Sequence, residues 1–312
     1  MSPSGRAEGV ARLRRVIAEI EAEAGAPRER AARRLPIARA FDSALGGGLA
    51  DDALHEIAPA QAADGAAAMG FALALAARFL SRRPASALLV SEGFADQESG
   101  ALYGPGLVAH GAPLSRLVFV RAPDAALAFW AMEEALKCGA PAAVIGEIWN
   151  LKGYSLAASR RLLLAARKGK VPALLILASA YGQAERLSSA AETRFEIAAL
   201  PSVRTPAAAG PDLPGPFACG ARLVKARLSV GAVDDRAQRA RLEAFVDAVD
   251  DGVRDQRARL QDPDRVIRLE WRSQDLTFND MTVKDTAFDD QAISLPLAAA
   301  SGDRPRAAAR PR

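Results

Sequence analysis

The sequence predicts an α/β protein with a mostly parallel sheet flanked by helices, plus an N-terminal helix and a C-terminal extension. The chain has 312 residues, half of them hydrophobic, which is enough for a large buried core. Short apolar runs rich in Leu, Ile and Val alternate with longer stretches of helical character. Strands that alternate with helices are joined by right-handed crossovers, which place helices on both faces of a parallel sheet.

Each element of this core is predicted from its own pattern. The short aliphatic runs are predicted as buried strands, and the long stretches between them as helices. The predicted strands cover residues 54–57, 87–90, 117–120, 143–148 and 173–177. The predicted helices cover residues 66–80, 124–138 and 155–168. Ligands of such sheets bind outside the carboxyl ends of the strands, so functional residues are expected there.

The chain divides into four predicted segments. A basic helix and linker occupy residues 1–34, and the core follows over residues 35–230. Residues 231–272 are predicted as a helical insertion and a strand, and residues 273–312 as an acidic, then Arg/Pro-rich tail. This tail is expected to be disordered, because its composition offers little apolar surface to bury. The weak alternation of residues 222–230 predicts an edge strand.

Two amphipathic segments outside the core are candidates for partner binding. Apolar residues recur at helical spacing over residues 10–20, in a region with eight arginines, and again over residues 234–260. The first helix either packs on its own core or docks on a neighbouring molecule. The second is either a docking helix or an insertion folded onto the same domain. The residues assigned to partner contact are Leu13, Ile17, Ile20, Phe245 and Val249.

Composition excludes several classes of function. Two cysteines and two histidines provide neither a disulfide framework nor metal-ligand spacing, and no Ser/His/Asp grouping suggests nucleophilic catalysis. The net charge of +4 weakly favours a polyanionic partner. The N-terminus lacks an apolar signal segment, and no apolar run reaches the roughly 18 residues of a membrane span. The expected location is therefore the cytoplasm.

The segment between the first predicted strand and helix has the position of a phosphate loop but lacks the residues that bind phosphate and Mg²⁺. A working loop reads G-x-x-x-x-G-K-[ST]; its N–H groups wrap the phosphates, its Lys reaches the terminal ones and its hydroxyl holds Mg²⁺. Here Ala66 and Ala67 occupy the Lys and hydroxyl positions, and Asp64 adds negative charge. The degenerate loop comprises Pro59, Gly65, Ala66 and Ala67. We therefore expect no ATP hydrolysis and no bound cofactor.

The order of motifs resembles that of a RecA core. FDSALGGGL at residues 41–49, followed by LHEI at 54–57, resembles the glycine-rich turn and first strand of that family. ALLVSE at 87–92 resembles the second strand, which ends in the catalytic glutamate. Residues 143–149 resemble the strand that carries the Walker B acid. The likeness covers residues 35–230, and among RecA-like proteins without the loop Lys the chain resembles the ImuA family.

This resemblance implies a function in the SOS response to DNA damage. Members of the ImuA family are accessory proteins of translesion synthesis and mutagenesis, and act with ImuB and an error-prone DNA polymerase. For this chain the expected partners are an ImuB-like polymerase homologue, that polymerase and RecA, with single-stranded DNA and self-association as further expectations. Two alternatives stay open: a cell-division inhibitor similar to SulA, and a diverged DNA-dependent ATPase in which Lys152 replaces the missing lysine.

The resemblance also assigns residues to DNA contact. The loop after residue 148 corresponds to the first DNA-binding loop of RecA-like proteins, and residues 180–193 to the second. Basic side chains neutralise phosphates, and aromatic faces stack on unpaired bases at about 1–3 kcal/mol each. The assigned residues are Lys152, Tyr154, Arg160, Arg161, Arg167, Lys168, Lys170 and Arg186. The basic stretch 160–170 is alternatively an ordinary solvated helix face, and Glu92 and Glu147 are expected to be strand-end acids without a substrate.

Overall fold

The computed structural model describes residues 34–202, 215–227 and 266–281. The predicted α/β class is confirmed by a nine-stranded, mostly parallel sheet flanked by helices. In chain order the elements are β1 (Arg34–Leu35), α1 (Arg39–Ala44), β2 (Leu49–Ala50), β3 (Leu54–Pro59), α2 (Gly65–Arg82), β4 (Ala87–Glu92), α3 (Ala95–Glu98), α4 (Gly104–Ala109), β5 (Leu117–Ala122), α5 (Ala125–Cys138), β6 (Ala143–Ile148), α6 (Leu156–Gly169), β7 (Ala173–Leu177), β8 (Thr193–Ala199), β9 (Ala218–Ala226), β10 (Ile267–Arg272) and β11 (Thr277–Met281).

The strand order across the sheet is β11-β10-β9-β8-β3-β7-β6-β4-β5, and β1 pairs separately with β2. The strands from β8 to β5 run parallel, whereas β9, β10 and β11 are antiparallel to their neighbours. We call the side where the parallel strands begin the amino edge, and the side where they end the carboxyl edge. Because Thr193 at the start of β8 pairs with Ala226, β9 ends at the amino edge.

Each face of the sheet has its own core. Helix α2 packs on one face, where Phe71 contacts the ring of Phe195 on β8. Helices α5 and α6 pack on the other face over Leu54 and Ala58, while Ile57 points into the first core. Every residue of β3 is buried, including His55 and Glu56, because a parallel strand covered on both faces has no solvent side.

Helices α5 and α6 each begin at a capping residue. They lie side by side with their backbones in close contact at one end. Asp124 accepts a hydrogen bond from Leu127 N at 2.9 Å and begins α5, and Ser155 begins α6 by accepting from Ala158 N at 3.2 Å. At the far end, a Cβ on Gly169 would lie 1.8 Å from the carbonyl oxygen of Leu136. Only glycine therefore permits this approach.

The five predicted strands and three predicted helices all form, with bounds that shift by at most two residues. The prediction that residues 117–120 are buried is wrong, because β5 is the last strand of the sheet and its Val118 and Phe119 are about half exposed. Residues 222–230 were expected to form an edge strand, but β9 lies between β8 and β10. Strand β8 was not predicted.

Several sequence predictions fall on residues that the structure does not describe. The candidate partner residues Leu13, Ile17, Ile20, Phe245 and Val249 all lie outside the described ranges. Of the predicted tail 273–312, residues 273–281 are described, and five of them form β11. Strands β10 and β11 extend the same sheet as the core strands.

The sequence predicted no apolar run long enough to span a membrane, but one described helix is of sufficient length and apolar composition. The window Ala62–Arg82 is long and apolar enough to cross a membrane by length and composition. Two thirds of the window, 67%, is buried inside the protein, which is the environment of a core helix.

Candidate functional site

The degenerate phosphate loop connects β3 to α2 and is held by hydrogen bonds within the protein. Ala60 N donates to the carbonyl oxygen of Ile197 at 2.8 Å. Gln61 N donates to Asp64 Oδ2 at 3.0 Å, and Asp64 Oδ1 accepts a hydrogen bond from Ala199 N at 2.8 Å. The Asp64 carboxylate is buried at 8% exposure, so the loop already contains an anion bound by backbone N–H groups.

This arrangement lacks the lysine, the hydroxyl and some of the free N–H groups of a nucleotide site. The N–H groups of Ala60 and Gln61 are bonded internally, whereas a phosphate loop directs such groups at its ligand. Gly65 is the first residue of α2, has ordinary helical geometry and has open space at its Cβ position, so no close backbone approach requires a glycine there. Ala66 and Ala67 supply neither a cation nor a hydroxyl.

The two strand-end acids organise the protein itself. Glu92 Oε2 accepts hydrogen bonds from the backbone N atoms of Trp149 and Asn150, both at 2.9 Å. Glu147 Oε1 accepts from the Trp149 indole at 3.2 Å. Burial raises the pKa of Glu147, and the nearby Asp96 raises it further against the opposing indole hydrogen bond. Within the described ranges, no group of three or more His, Cys, Asp or Glu residues could hold a metal ion.

A buried ion pair is bonded to both of the loops that were predicted to contact DNA. Glu56 on β3 and Arg194 on β8 are direct cross-strand partners, and Arg194 Nε donates to Glu56 Oε2 at 2.6 Å. Arg194 also donates to the carbonyl oxygens of Ala184 and Leu187, the latter at 2.8 Å. The guanidinium is therefore hydrogen-bonded to the backbone of the segment 178–192.

Glu56 also binds the other loop. The Tyr154 hydroxyl donates to Glu56 Oε1, and Ser189 Oγ donates to Glu56 Oε2 at 3.0 Å. Burial raises the pKa of Glu56, while Arg194 is the strongest opposing influence. Residues 149–155 and 178–192 are thus joined through one carboxylate. The sequence analysis assigned Glu56 no role, although a charged residue inside a buried apolar run is a detectable signal.

The structure does not bring the predicted DNA-binding residues into one site. Lys152 and Arg160 are exposed near the carboxyl edge, and Arg186 is exposed within residues 178–192. Tyr154 points inward and stacks on Phe129 with ring centroids 6.0 Å apart, so its ring is not presented to a base. Arg161 is bound to Glu133 of α5.

The remaining three cations lie at the opposite edge of the sheet. Arg167, Lys168 and Lys170 stand at the end of α6, which runs back from the carboxyl to the amino edge. A helix of 14 residues spans about 21 Å, so these residues are far from Lys152 and its loop.

Comparisons with known proteins find distant similarities to solved structures. The chain is similar to the crystal structure of SulA from Pseudomonas aeruginosa, with 20% identity, a TM-score of 0.32, and coverage of 40% of this chain and 96% of SulA. It is also similar to the RadB recombinase, with 17% identity, a TM-score of 0.40, and coverage of 61% of this chain and 88% of RadB. No protein-family model and no curated protein matches the chain.

Proposed function

We propose that this chain is a non-catalytic, RecA-like accessory protein that acts as an adaptor in DNA-damage-induced translesion synthesis. The main supporting observation is the phosphate loop, in which the Asp64 carboxylate binds the N–H groups of Gln61 and Ala199. A triphosphate would have to displace a buried internal anion, and no lysine or hydroxyl of the loop would replace the lost contacts.

The carboxylates that a RecA ATPase would use for catalysis support the same proposal. A water-activating glutamate needs a free oxygen directed at the nucleophile. Glu92 Oε2 accepts two backbone hydrogen bonds and Glu147 Oε1 accepts one from the Trp149 indole, so the protein occupies one oxygen of each buried carboxylate. Through these contacts both acids position the segment that follows β6.

The proposed partners are an ImuB-like polymerase homologue, an error-prone DNA polymerase and RecA, in the cytoplasm, with an additional contact to DNA. The motif order of residues 35–230 supports this assignment through its resemblance to the ImuA family. Exposed apolar side chains support a role in protein binding, because such surfaces are commonly covered by partners. They include Val118 and Phe119 on β5 and Leu127 and Trp130 on α5, each between 46% and 57% exposed.

Co-precipitation of purified proteins tests the adaptor function. The full chain would be immobilised and offered, in separate reactions, RecA, the ImuB-like homologue and the tubulin-like division protein of the same organism. We expect retention of the polymerase homologue and of RecA, and no retention of the division protein. Retention of the division protein alone would favour a SulA-like inhibitor. Retention of none of the three would contradict the proposal.

A further inference from the structure

Positively charged side chains gather at the amino edge of the sheet, on two elements that are distant in sequence. Helix α6 ends there with Arg167, Lys168 and Lys170. Strand β9, which runs antiparallel to β8, ends there with Lys225 and is followed by Arg227. We call these five residues the amino-edge cluster.

The segment 189–192 contacts both strand β9 and helix α6. The carbonyl oxygen of Ser189 accepts hydrogen bonds from Lys225 Nζ at 2.6 Å and from Arg227 Nη2 at 3.1 Å. On the other side, Ala190 N donates to Ser159 Oγ of α6 at 2.9 Å. Ser159 lies in the first turn of α6, so this contact joins the segment to the helix at the end opposite to Arg167 and Lys168.

Glu192 shows that Arg167 lies close to this backbone. Burial raises the pKa of Glu192, and the positive charges of Arg34 and Arg167 oppose that rise. Arg34 is the ion-pair partner of Glu192 at 3.2 Å, and the backbone N of Arg227 donates to the Glu192 carbonyl oxygen at 2.7 Å. Arg227 thus contacts Glu192 through its backbone, and Arg167 is near enough for its charge to act on the Glu192 carboxylate.

The cluster has a surplus of positive charge. Within the described ranges, none of its five members forms an ion pair, and the acids at this edge are Asp51, Asp52 and Glu192. Burial lowers the pKa of Lys225 to about 8, and the neighbouring Arg227 and Arg194 add to the decrease while Glu56 opposes it. The Lys225 ammonium is bonded to Ser189, so the exposed members of the cluster are Arg167, Lys168, Lys170 and Arg227.

The carboxyl edge has the opposite balance. Its cations include Lys152, Arg160, Arg161 and Arg121, of which Arg161 is paired with Glu133 and Arg121 with Asp96 at 2.9 Å. Its acids are Asp64, Glu92, Asp96, Glu98, Asp124 and Glu147. With these acids present, the carboxyl edge is less favourable for a polyanion than the amino edge.

We infer that the amino-edge cluster binds the phosphate backbone of duplex DNA. Arg and Lys contacts to phosphates provide affinity without sequence readout. Binding of unpaired bases relies on aromatic platforms, and in the described part of the chain the exposed aromatic side chains lie outside the end of α6, residues 189–192 and β9. A duplex hides its bases and presents two backbones, which matches a surface of cations alone. This inference deepens the DNA contact of the proposed function and moves it to the other edge of the sheet.

Two triple variants with the same loss of charge test the inference. The cluster variant carries Arg167→Gln, Lys168→Gln and Lys170→Asn, because Asn tolerates the positive φ of 55° at position 170. The control variant carries Lys152→Gln, Arg160→Gln and Arg186→Gln, which are exposed cations away from the cluster. Each variant removes three positive charges from a formal net charge of +4. Circular dichroism and thermal unfolding establish that both variants fold like the parent chain.

Binding would be measured by fluorescence anisotropy with a labelled 30-base-pair duplex, its single strand and a poly-glutamate peptide, over a range of salt. We expect the cluster variant to lose about 10²–10³-fold in duplex affinity at 100 mM salt and its log–log salt slope to flatten by about 2.7. The control variant should stay within about threefold of the parent. Equal losses in both variants, or no duplex binding by the parent chain, would overturn the inference. Binding of poly-glutamate through the cluster without duplex binding would instead assign the surface to an acidic protein segment. Because these probes contain no protein partner, failure of the co-precipitation leaves this result readable on its own.

Discussion

The buried pair of Glu56 and Arg194 provides the sharpest test of how the two loops are held. Glu56→Gln keeps the size of the side chain and one oxygen acceptor but removes the negative charge. The Arg194 guanidinium is 1% exposed, so it would remain charged in the interior without a carboxylate. Breaking a buried ion pair by removing one partner costs about 3–5 kcal/mol of unfolding free energy. Because glutamine still accepts one hydrogen bond, we expect about 3 kcal/mol.

Urea unfolding, followed by tryptophan fluorescence and circular dichroism, measures this loss. The matched control is Arg161→Gln, which breaks the exposed pair of Arg161 and Glu133 on neighbouring helices. Exposed pairs contribute about 0.2–1 kcal/mol, because water screens the charges and the side chains lose freedom on pairing. The two single changes therefore differ several-fold in cost if burial decides the energy.

A double-mutant cycle separates the pair from its surroundings. Glu56→Gln and Arg194→Gln together should cost less than the sum of the single changes, with a coupling energy above about 1 kcal/mol. A loss below about 1 kcal/mol in Glu56→Gln, or additive single changes, would refute the conclusion that Glu56 joins the loops 149–155 and 178–192.

Three further predictions concern other buried positions. His55 is fully buried with both ring nitrogens bonded, and burial lowers its pKa from 6.5 to about 4. The folded state then binds fewer protons than the unfolded state between these pH values, so the stabilisation that neutral His55 provides is full above about pH 6.5 and falls by about 3 kcal/mol as the pH drops to 4. The difference in unfolding free energy between the parent chain and His55→Gln, measured across this pH range, tests the prediction. A difference that does not change with pH would contradict it. Asp64→Ala should lower the unfolding free energy by about 2–3 kcal/mol in urea titrations, because the N–H groups of Gln61 and Ala199 lose a charged acceptor; an unchanged midpoint would be inconsistent with its place in the loop. Gly169→Ala should cost about 1–3 kcal/mol or more in thermal unfolding, because its Cβ would meet a backbone carbonyl, whereas Gly65→Ala should be neutral or stabilising by about 0.5 kcal/mol.

The core strands could be predicted from sequence because their environment leaves a simple pattern. A parallel strand covered on both faces is apolar throughout, and β6 and β7 were bounded correctly from that pattern. Strand β8 was not predicted, because Arg194 and Glu196 interrupt the continuous apolar run by which the other core strands were recognised. Arg194 is buried because Glu56, far away in sequence, lies directly beside it. Long-range pairing of this kind has no local signal.

Only part of the phosphate loop's structure could be predicted from the sequence. The missing Lys and hydroxyl follow directly from Ala66 and Ala67, and Asp64 was recognised as a negative charge in an unfavourable position for phosphate. The partners of that charge depend on β8, which the sequence analysis did not place. The basic residues of α6 were grouped by their closeness in sequence, but a helix separates its two ends by about 21 Å, which puts them at opposite edges of the sheet.

Nucleotide binding tests the central claim most directly. The full chain would be titrated with a fluorescent ATP analogue in the presence of Mg²⁺, with and without DNA, and phosphate release would be followed in parallel. With Asp64 bonded inside its own loop, we predict no saturable binding up to millimolar nucleotide and no release above background. Saturable, magnesium-dependent binding with DNA-stimulated phosphate release, lost in Glu92→Gln, would show that this protein is an ATPase and would contradict the account.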